Sequence, residues 1–187
     1  MVAAPHLPLV TERLTLRPHR DDDLQAMLTY YADPDVARYL LEEPWTQEYA
    51  EAQLTKRIAR QHIGAPDQAL ALVVERDGAV IGDVAMWPAD KTLSVAELGW
   101  VIHPDAGGKG FATEAVLAVI GLAFGHYGMH RVKAQLDARN TPSARMCERL
   151  GMTKEAHLRQ DWWSKGEWTD TAVYGLLAAE LDGGRDG

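Results

Sequence analysis

The chain has 187 residues, 47% of them hydrophobic and 25% charged, with 27 acidic side chains against 19 basic and a formal net charge of −8. That profile fits one soluble domain with a sizeable core, and the acidic surplus excludes a general nucleic-acid binder, whose phosphate contacts need Lys and Arg in excess. The single cysteine, Cys147, excludes an internal disulfide framework, and no Cys/His spacing offers a structural zinc site. Residues 1–6 lack a basic stretch followed by an apolar run, so no secretory signal is expected. The longest uncharged stretch, Ala115 to His130, is too short and too rich in Gly and His to span a bilayer, and a cytoplasmic location without membrane or nucleic-acid partners is expected. Residues 1–180 are expected to form one domain and residues 181–187 a solvated tail. Six Trp and six Tyr stand against two Phe. Rings with a polar tip suit places where one end is buried and the other meets ligand or water.

In chain order, Thr11 to Pro18 reads as a strand with Leu14 and Leu16 on one face. Asp21 to Tyr31 reads as a helix behind an acidic start, with Leu24, Met27, Leu28 and Tyr31 at helical spacing. After the turn at Asp33-Pro34, a second helix is predicted over Thr46 to His62. Ala69 to Glu75 and Ala79 to Met86 flank Asp77-Gly78, a two-residue hairpin loop that favours positive φ. A third strand runs from Ser94 to Ile102, followed by a glycine-rich turn over residues 105–110 and an apolar helix from Ala112 to Tyr127. Arg131 to Ala138 alternates as a strand. Thr141-Pro142 opens a short helix that Gly151 closes, and residues 152–163 and 167–177 form a last hairpin around Lys165-Gly166. The order β-α-α-β-β-β-α-β-α-β-β lacks strict alternation. It points to a mixed α/β (α+β) fold, a mostly antiparallel twisted sheet flanked by helices.

The most informative stretch joins the strand Ala96 to Ile102, through His103-Pro-Asp-Ala-Gly-Gly-Lys-Gly110, to a helix starting Phe111-Ala112-Thr113. Small residues let the backbone curl around a ligand, and the unpaired N–H groups of the helix start form an anion cradle. A P-loop needs Ser or Thr where Gly110 stands and Gly where His103 stands; the dinucleotide fingerprint needs a small residue where Thr113 stands. Both standard nucleotide loops fail.

Gly108-Lys-Gly-Phe-Ala-Thr-Glu-Ala115, behind a strand ending Gly99-Trp-Val-Ile-His-Pro104, resembles the acetyl-CoA pyrophosphate loop of the GNAT superfamily of N-acetyltransferases. Within it the chain resembles the RimJ/RimL group of ribosomal-protein N-terminal acetyltransferases, through Thr11-Glu-Arg-Leu-Thr-Leu-Arg17, Asn140-Thr-Pro-Ser-Ala-Arg145, Arg149-Leu-Gly-Met152 and Gly166-Glu-Trp-Thr-Asp170 with Tyr174. The resemblance spans nearly the whole chain in order. It implies that fold, acetyl-CoA as cosubstrate without a metal, and a primary amine as acceptor. The acceptor it favours is a protein or peptide N-terminal α-amine, ahead of a small amine such as a polyamine, amino acid or antibiotic. A non-catalytic acyl-CoA-binding sensor is the reading of a different class. The group includes dimers, so a homodimer is compatible with it. The implied cofactor contacts are Trp100, Val101 and Ile102 on the strand, Gly107, Gly108, Lys109, Gly110, Phe111, Ala112 and Thr113 in the loop and helix start, and Asn140 on the pantetheine arm. The family usually carries Gln or Arg where Gly107 stands.

Acetyl transfer to an amine needs a base for the ammonium proton, donors for the developing oxyanion and a proton for the leaving thiolate. Glu97 is a carboxylate in an otherwise apolar strand, so it has either a charged partner or a catalytic task. The family often uses an acid on this strand as base; Asp83, on the neighbouring strand, is the rival. The resemblance assigns the oxyanion donors to backbone N–H groups around Trp100 to Ile102. It makes Ser143 the proton donor to the thiolate, whereas a bland alternative has Asn140 or Thr141 simply capping the helix. Cys147 lies on the Ser143, Met146, Leu150 stripe and reads as a core residue rather than a nucleophile. His126 and His130 read as helix-end residues rather than metal ligands. The aromatic clusters at 30–45 and 162–168 either line the acceptor groove or pack half-buried.

Overall fold

The computed structural model describes residues 2–65 and 68–183. A single eight-stranded sheet runs in the order β1-β2-β3-β4-β5-β6-β8-β7. Its strands are β1 (Leu9–Val10), β2 (Thr15–Pro18), β3 (Leu70–Arg76), β4 (Ala79–Pro88), β5 (Val95–Ile102), β6 (Arg131–Asp137), β7 (Thr153–Ser164) and β8 (Glu167–Leu177). Every adjacent pair is antiparallel except β5 and β6, which are joined through α4 (Phe111–Gly125). The remaining helices are α1 (Leu24–Tyr31), α2 (Pro34–Ala37), α3 (Gln47–Ile58), α5 (Thr141–Arg149) and α6 (Ala178–Gly183). The fold is therefore the mixed, mostly antiparallel sheet with flanking helices that the element order predicts.

Local chemistry places the turns. Asp77 and Gly78 have φ of 51° and 80°, and Lys165 and Gly166 have 50° and 83°, so both hairpins close with two left-handed residues. Thr46 caps α3 by accepting from the Tyr49 amide, and Asn140 caps α5 by accepting from Ser143. Three short elements escape the sequence pattern. Thr11 and Leu14 close a turn, which shortens the expected strand Thr11 to Pro18 to β2 and leaves β1 as a separate strand before it. Asp33 caps the four-residue α2, and α6 takes up the first residues of the expected tail; residues 184–187 of that tail lie outside the described residues.

The period of two along the central strands sorts side chains into two layers. Ala96, Leu98, Trp100 and Ile102 on β5, Val84 and Met86 on β4, and Val132 and Ala134 on β6 pack with the buried stripe of α4, from Ala115 and Val116 to Val119, Ile120 and Ala123. The opposite face carries Val101 against a second cluster built from α1 and α3 around Met27, Tyr30, Tyr31, Trp45, Ala50 and Leu54. Glu97 and Gly99 share the phase of Val101 and so belong to this second face.

Candidate active site

β5 and β6 are paired only at Val95–Arg131, Ala96–Val132 and Glu97–Lys133. Beyond Glu97 the two strands part, although β5 stays paired to β4 as far as Ile102 and β6 to β8 as far as Asp137. A wedge opens between the strands, and a cleft of about 450 Å³ occupies it, lined by Leu98 to Val101 on one side and Gln135 to Asp137 on the other. That volume suits a small-molecule site. Opposed pairs set its floor: Ala85 faces Gly99, and Trp87 faces Glu97. A Cβ on Gly99 would lie 3.1 Å from the Trp87 ring, so the missing side chain lets the indole lie across the strand. The far wall is the 38–42 segment after α2 together with the tip of the β7–β8 hairpin, and the Lys165 ammonium donates to the Ala37 carbonyl to hold the two together.

Glu97, Trp100, Val101, Asn140 and Ser143 all line this cleft. Glu97 is 17% exposed. Its Oε2 takes both of its partners, the Lys133 ammonium and the Gln135 amide, each at 3.0 Å. One oxygen is thus ion-paired, and Oε1 has no hydrogen-bond partner among the described residues. Asn140 spends its side-chain carbonyl on the α5 cap, accepting from the Ser143 amide at 3.1 Å. The Ser143 hydroxyl makes no hydrogen bond among the described residues and stands at the cleft wall.

Ile102 and Gly107 to Thr113 do not line the cleft; they carry β5 past its end into the glycine loop and the first turn of α4. Gly108 and Gly110 have φ of 72° and 81°, a conformation that favours glycine. Gly110 is the N-cap of α4 and supplies no side chain to it, so the first-turn amides have no side-chain cap among the described residues. Gly107 is extended, and a Cβ there would lie 3.0 Å from the Pro104 carbonyl, a tight fit for the longer side chains that other family members carry. Lys109 turns back to donate to the Asp105 carbonyl at 2.7 Å. Uncapped amides on a left-handed glycine, at the end of a strand with a free edge, fit a pyrophosphate followed by a narrow arm.

Asp83, the rival base, is locked. It is 2% exposed and accepts from Tyr31 Oη at 2.9 and 3.0 Å, from Tyr30 Oη at 3.3 Å and from Arg57 Nη1 at 2.9 Å. Burial opposes its charge, but the Arg57 guanidinium and bonds from His19 and Tyr31 outweigh burial and hold the carboxyl below the usual range. Arg57 rides over the Tyr31 and Trp45 rings, which stack 3.8 Å apart. Nothing in the helical pattern of residues 46–62 marks Arg57 as the partner of a strand acid; only the tertiary packing of α3 on β4 brings the two together.

The aromatic expectation divides. Tyr30, Tyr31 and Trp45 are buried core of the second layer, although Tyr31 also borders the cleft. Tyr39, Trp100 and Trp162 line it, joined by Trp87. Trp163 and Trp168 face each other across the hairpin tip at 5.4 Å and are not among its lining. Cys147 is fully buried, and burial pushes its thiol up to about 12. His126 bonds the Ala3 carbonyl at 2.8 Å. Among the described residues no group of three His, Cys, Asp or Glu could hold a metal, and no helix is long and apolar enough to cross a membrane.

Comparison with known proteins gives the family. The Acetyltransferase (GNAT) domain family matches residues 13–153. The chain belongs to the GNAT family. An uncharacterized N-acetyltransferase, p20, of Bacillus licheniformis is 30% identical over 94% of this chain and 98% of its own length. The spermidine N(1)-acetyltransferase of Vibrio cholerae is 22% identical over 91% of this chain and 96% of its own. A GNAT acetyltransferase structure from Bacillus anthracis superposes with a TM-score of 0.83 at 28% identity, covering 92% of this chain and 99% of that one. The protein is thus an acyltransferase that uses acetyl-CoA as acetyl donor.

Two outcomes test this anatomy. Cys147→Ala should leave turnover within about twofold, since a thiol with so high a pKa is protonated at neutral pH and is no nucleophile; steady-state rates and thiol labelling of the native protein measure it. Asp83→Asn should cost about 3–5 kcal/mol in urea denaturation at neutral pH, because Arg57 loses its counter-charge. As Asp83 has a depressed carboxyl, its contribution is full above the ordinary value of 3.8 and fades as pH falls through the lower folded value. The gap between wild type and variant should therefore close in acid.

Proposed function

We propose that the chain acetylates a peptide N-terminal α-amine, as the RimJ/RimL group does, by direct attack on acetyl-CoA in a ternary complex, with Glu97 as general base. The carrying observation is the Glu97 carboxylate of the cleft lining, fixed through Oε2 by Lys133 and Gln135 at the point where β5 and β6 part, with Oε1 unpartnered among the described residues. A base held this way removes the ammonium proton directly or through one water. An α-amine, with a reference pKa near 8 against about 10.4 for Lys, is the easier group to deprotonate at neutral pH. The free edge of β5 past Glu97 supplies backbone N–H groups around Trp100 to Ile102 for the oxyanion. Ser143, with its hydroxyl uncommitted, protonates the thiolate, and Asn140 borders the pantetheine arm. Acetyl-CoA supplies the activated thioester, and Gly107 to Thr113 hold its pyrophosphate.

Charge in the cleft favours a peptide over a polyamine. Of its five lining carboxylates, Asp83, Glu97, Asp137 and Glu167 are each paired to a cation. Arg38 and Arg60 line the cleft without an ion pair among the described residues, and Glu42 is the remaining carboxylate without one. A polyamine brings two or three positive charges that want free carboxylates. A peptide brings one ammonium and a chain of carbonyls that the free guanidinium groups can meet.

A thiol-release assay over peptides with free α-amines, spermidine, single amino acids and an aminoglycoside, with products read by mass spectrometry, tests this. Turnover concentrated on the peptides, with the acetyl group on the α-nitrogen, is the expected result; preference for spermidine overturns the acceptor assignment. Glu97→Gln should lower kcat most below about pH 8, where the amine arrives protonated, with acetyl-CoA affinity nearly intact. An unchanged pH–rate profile removes Glu97 as base.

A further inference from the structure

The glycine loop is braced by a segment more than ninety residues away in the sequence. Glu114, in the first turn of α4, accepts from Thr11 Oγ1 at 2.6 Å and from the Arg13 amide at 2.9 Å, both on Oε1. Its Oε2 receives Arg13 Nε and Nη2, each at 2.6 Å. The third guanidinium nitrogen, Nη1, donates to the Lys109 carbonyl at 3.1 Å, inside the loop. The guanidinium carbon lies 4.7 Å from the centre of the Phe111 ring, and a Cβ on Gly110 would come within 3.4 Å of Nη2. One arginine thus touches the loop at Lys109, the helix start at Phe111 and the carboxylate at Glu114.

The charge is as telling as the geometry. Glu114 is only 16% exposed. Burial opposes its charge, and the bonds from Thr11 and Arg13 outweigh burial, so the carboxyl stays below its usual range. A bare carboxylate in the first turn is good for a helix, but it repels an anion arriving at the same helix end. Arg13 cancels that repulsion while it fixes the loop.

We propose that Arg13 is a positioning residue of the acetyl-CoA site: it sets the Lys109 carbonyl of the glycine loop and neutralises Glu114 beside the helix end that takes the pyrophosphate. This rests on the assignment of Gly107 to Thr113 as the pyrophosphate loop.

Isothermal titration of the intact protein with CoA tests it. Arg13→Ala should raise Kd about tenfold with stoichiometry still near one, and the loss should shrink at high salt as the exposed carboxylate is screened. Arg13→Lys, which keeps the charge but reaches fewer partners, should raise Kd about threefold and keeps the proposal testable if the alanine variant does not fold. Adding Glu114→Gln to Arg13→Ala should restore part of the affinity, which a merely structural brace would not allow. Arg131→Ala, which removes the ion pair to Glu155 away from the loop, should leave Kd unchanged. An unaltered Kd in folded Arg13→Ala, or a double variant no better than the single, overturns the role of Arg13. A wild type that binds no CoA overturns the loop assignment beneath it.

Discussion

Beyond Glu97 and Lys133 the one parallel pair of the sheet stops pairing, and the rest of the site follows from that parting. In an antiparallel pair a two-residue turn would pin the strand ends together. A parallel pair joined by a crossover helix has its ends free to diverge. Here β5 continues with β4 and β6 continues with β8, so each strand is held by its outer neighbour while the inner edges separate. The result is an exposed strand edge inside a folded domain, a feature that proteins elsewhere cover or blunt. In this chain the open edge is kept because it is where a ligand with an extended arm can lie.

The charges around the wedge obey the same economy of burial. Asp83 and Arg57 satisfy each other beneath the cleft and take Tyr30 and Tyr31 with them, so the acid nearest in chemistry to Glu97 is unavailable to an amine. Glu97 differs by position alone. It stands where β6 is still close enough to supply Lys133 and Gln135, yet at the last paired residue, so one oxygen is anchored while the other has no partner among the described residues. Moved two residues toward Ile102, the same carboxylate would have no β6 partner opposite it. Moved two toward Val95, it would lie within the paired part of the sheet.

Much of this was legible in the sequence. Both hairpin turns carry a residue pair that accepts positive φ, the glycine loop opens on an apolar helix, and Pro142 and Gly151 bracket α5. What local pattern could not supply was registry. Lys133 becomes the partner of Glu97 only through a parallel pairing set by α4, and Gln135 only by sharing its face. Arg57 meets Asp83 because α3 docks on β4, a contact that no spacing encodes. The Trp and Tyr surplus separated for the same reason. Tyr30 and Trp45 sit at helical positions whether they line a groove or fill a core, and the second layer buries them. Trp162 and Trp163 differ by one residue in the pleat, and only Trp162 turns toward the cleft.

The proposed assignment puts the donor and acceptor sites along one strand, β5. Even-numbered residues of β5, from Ala96 to Ile102, pack with the α4 layer, although Leu98 and Trp100 also border the cleft; odd-numbered ones, Glu97, Gly99 and Val101, lie on the α1–α3 face and line the cleft. At a rise of about 3.3 Å per residue, Glu97 and Ile102 are about 16 Å apart. On the proposed assignment, a donor held by its phosphates at the loop reaches Glu97 by lying along the free edge of β5, with its acyl end at the point of the wedge. The amine then approaches from the other layer, over Gly99 and the Trp87 ring that lies against it. In that proposal donor and acceptor meet over one backbone, a geometry suited to direct transfer without a covalent relay and in keeping with the buried Cys147.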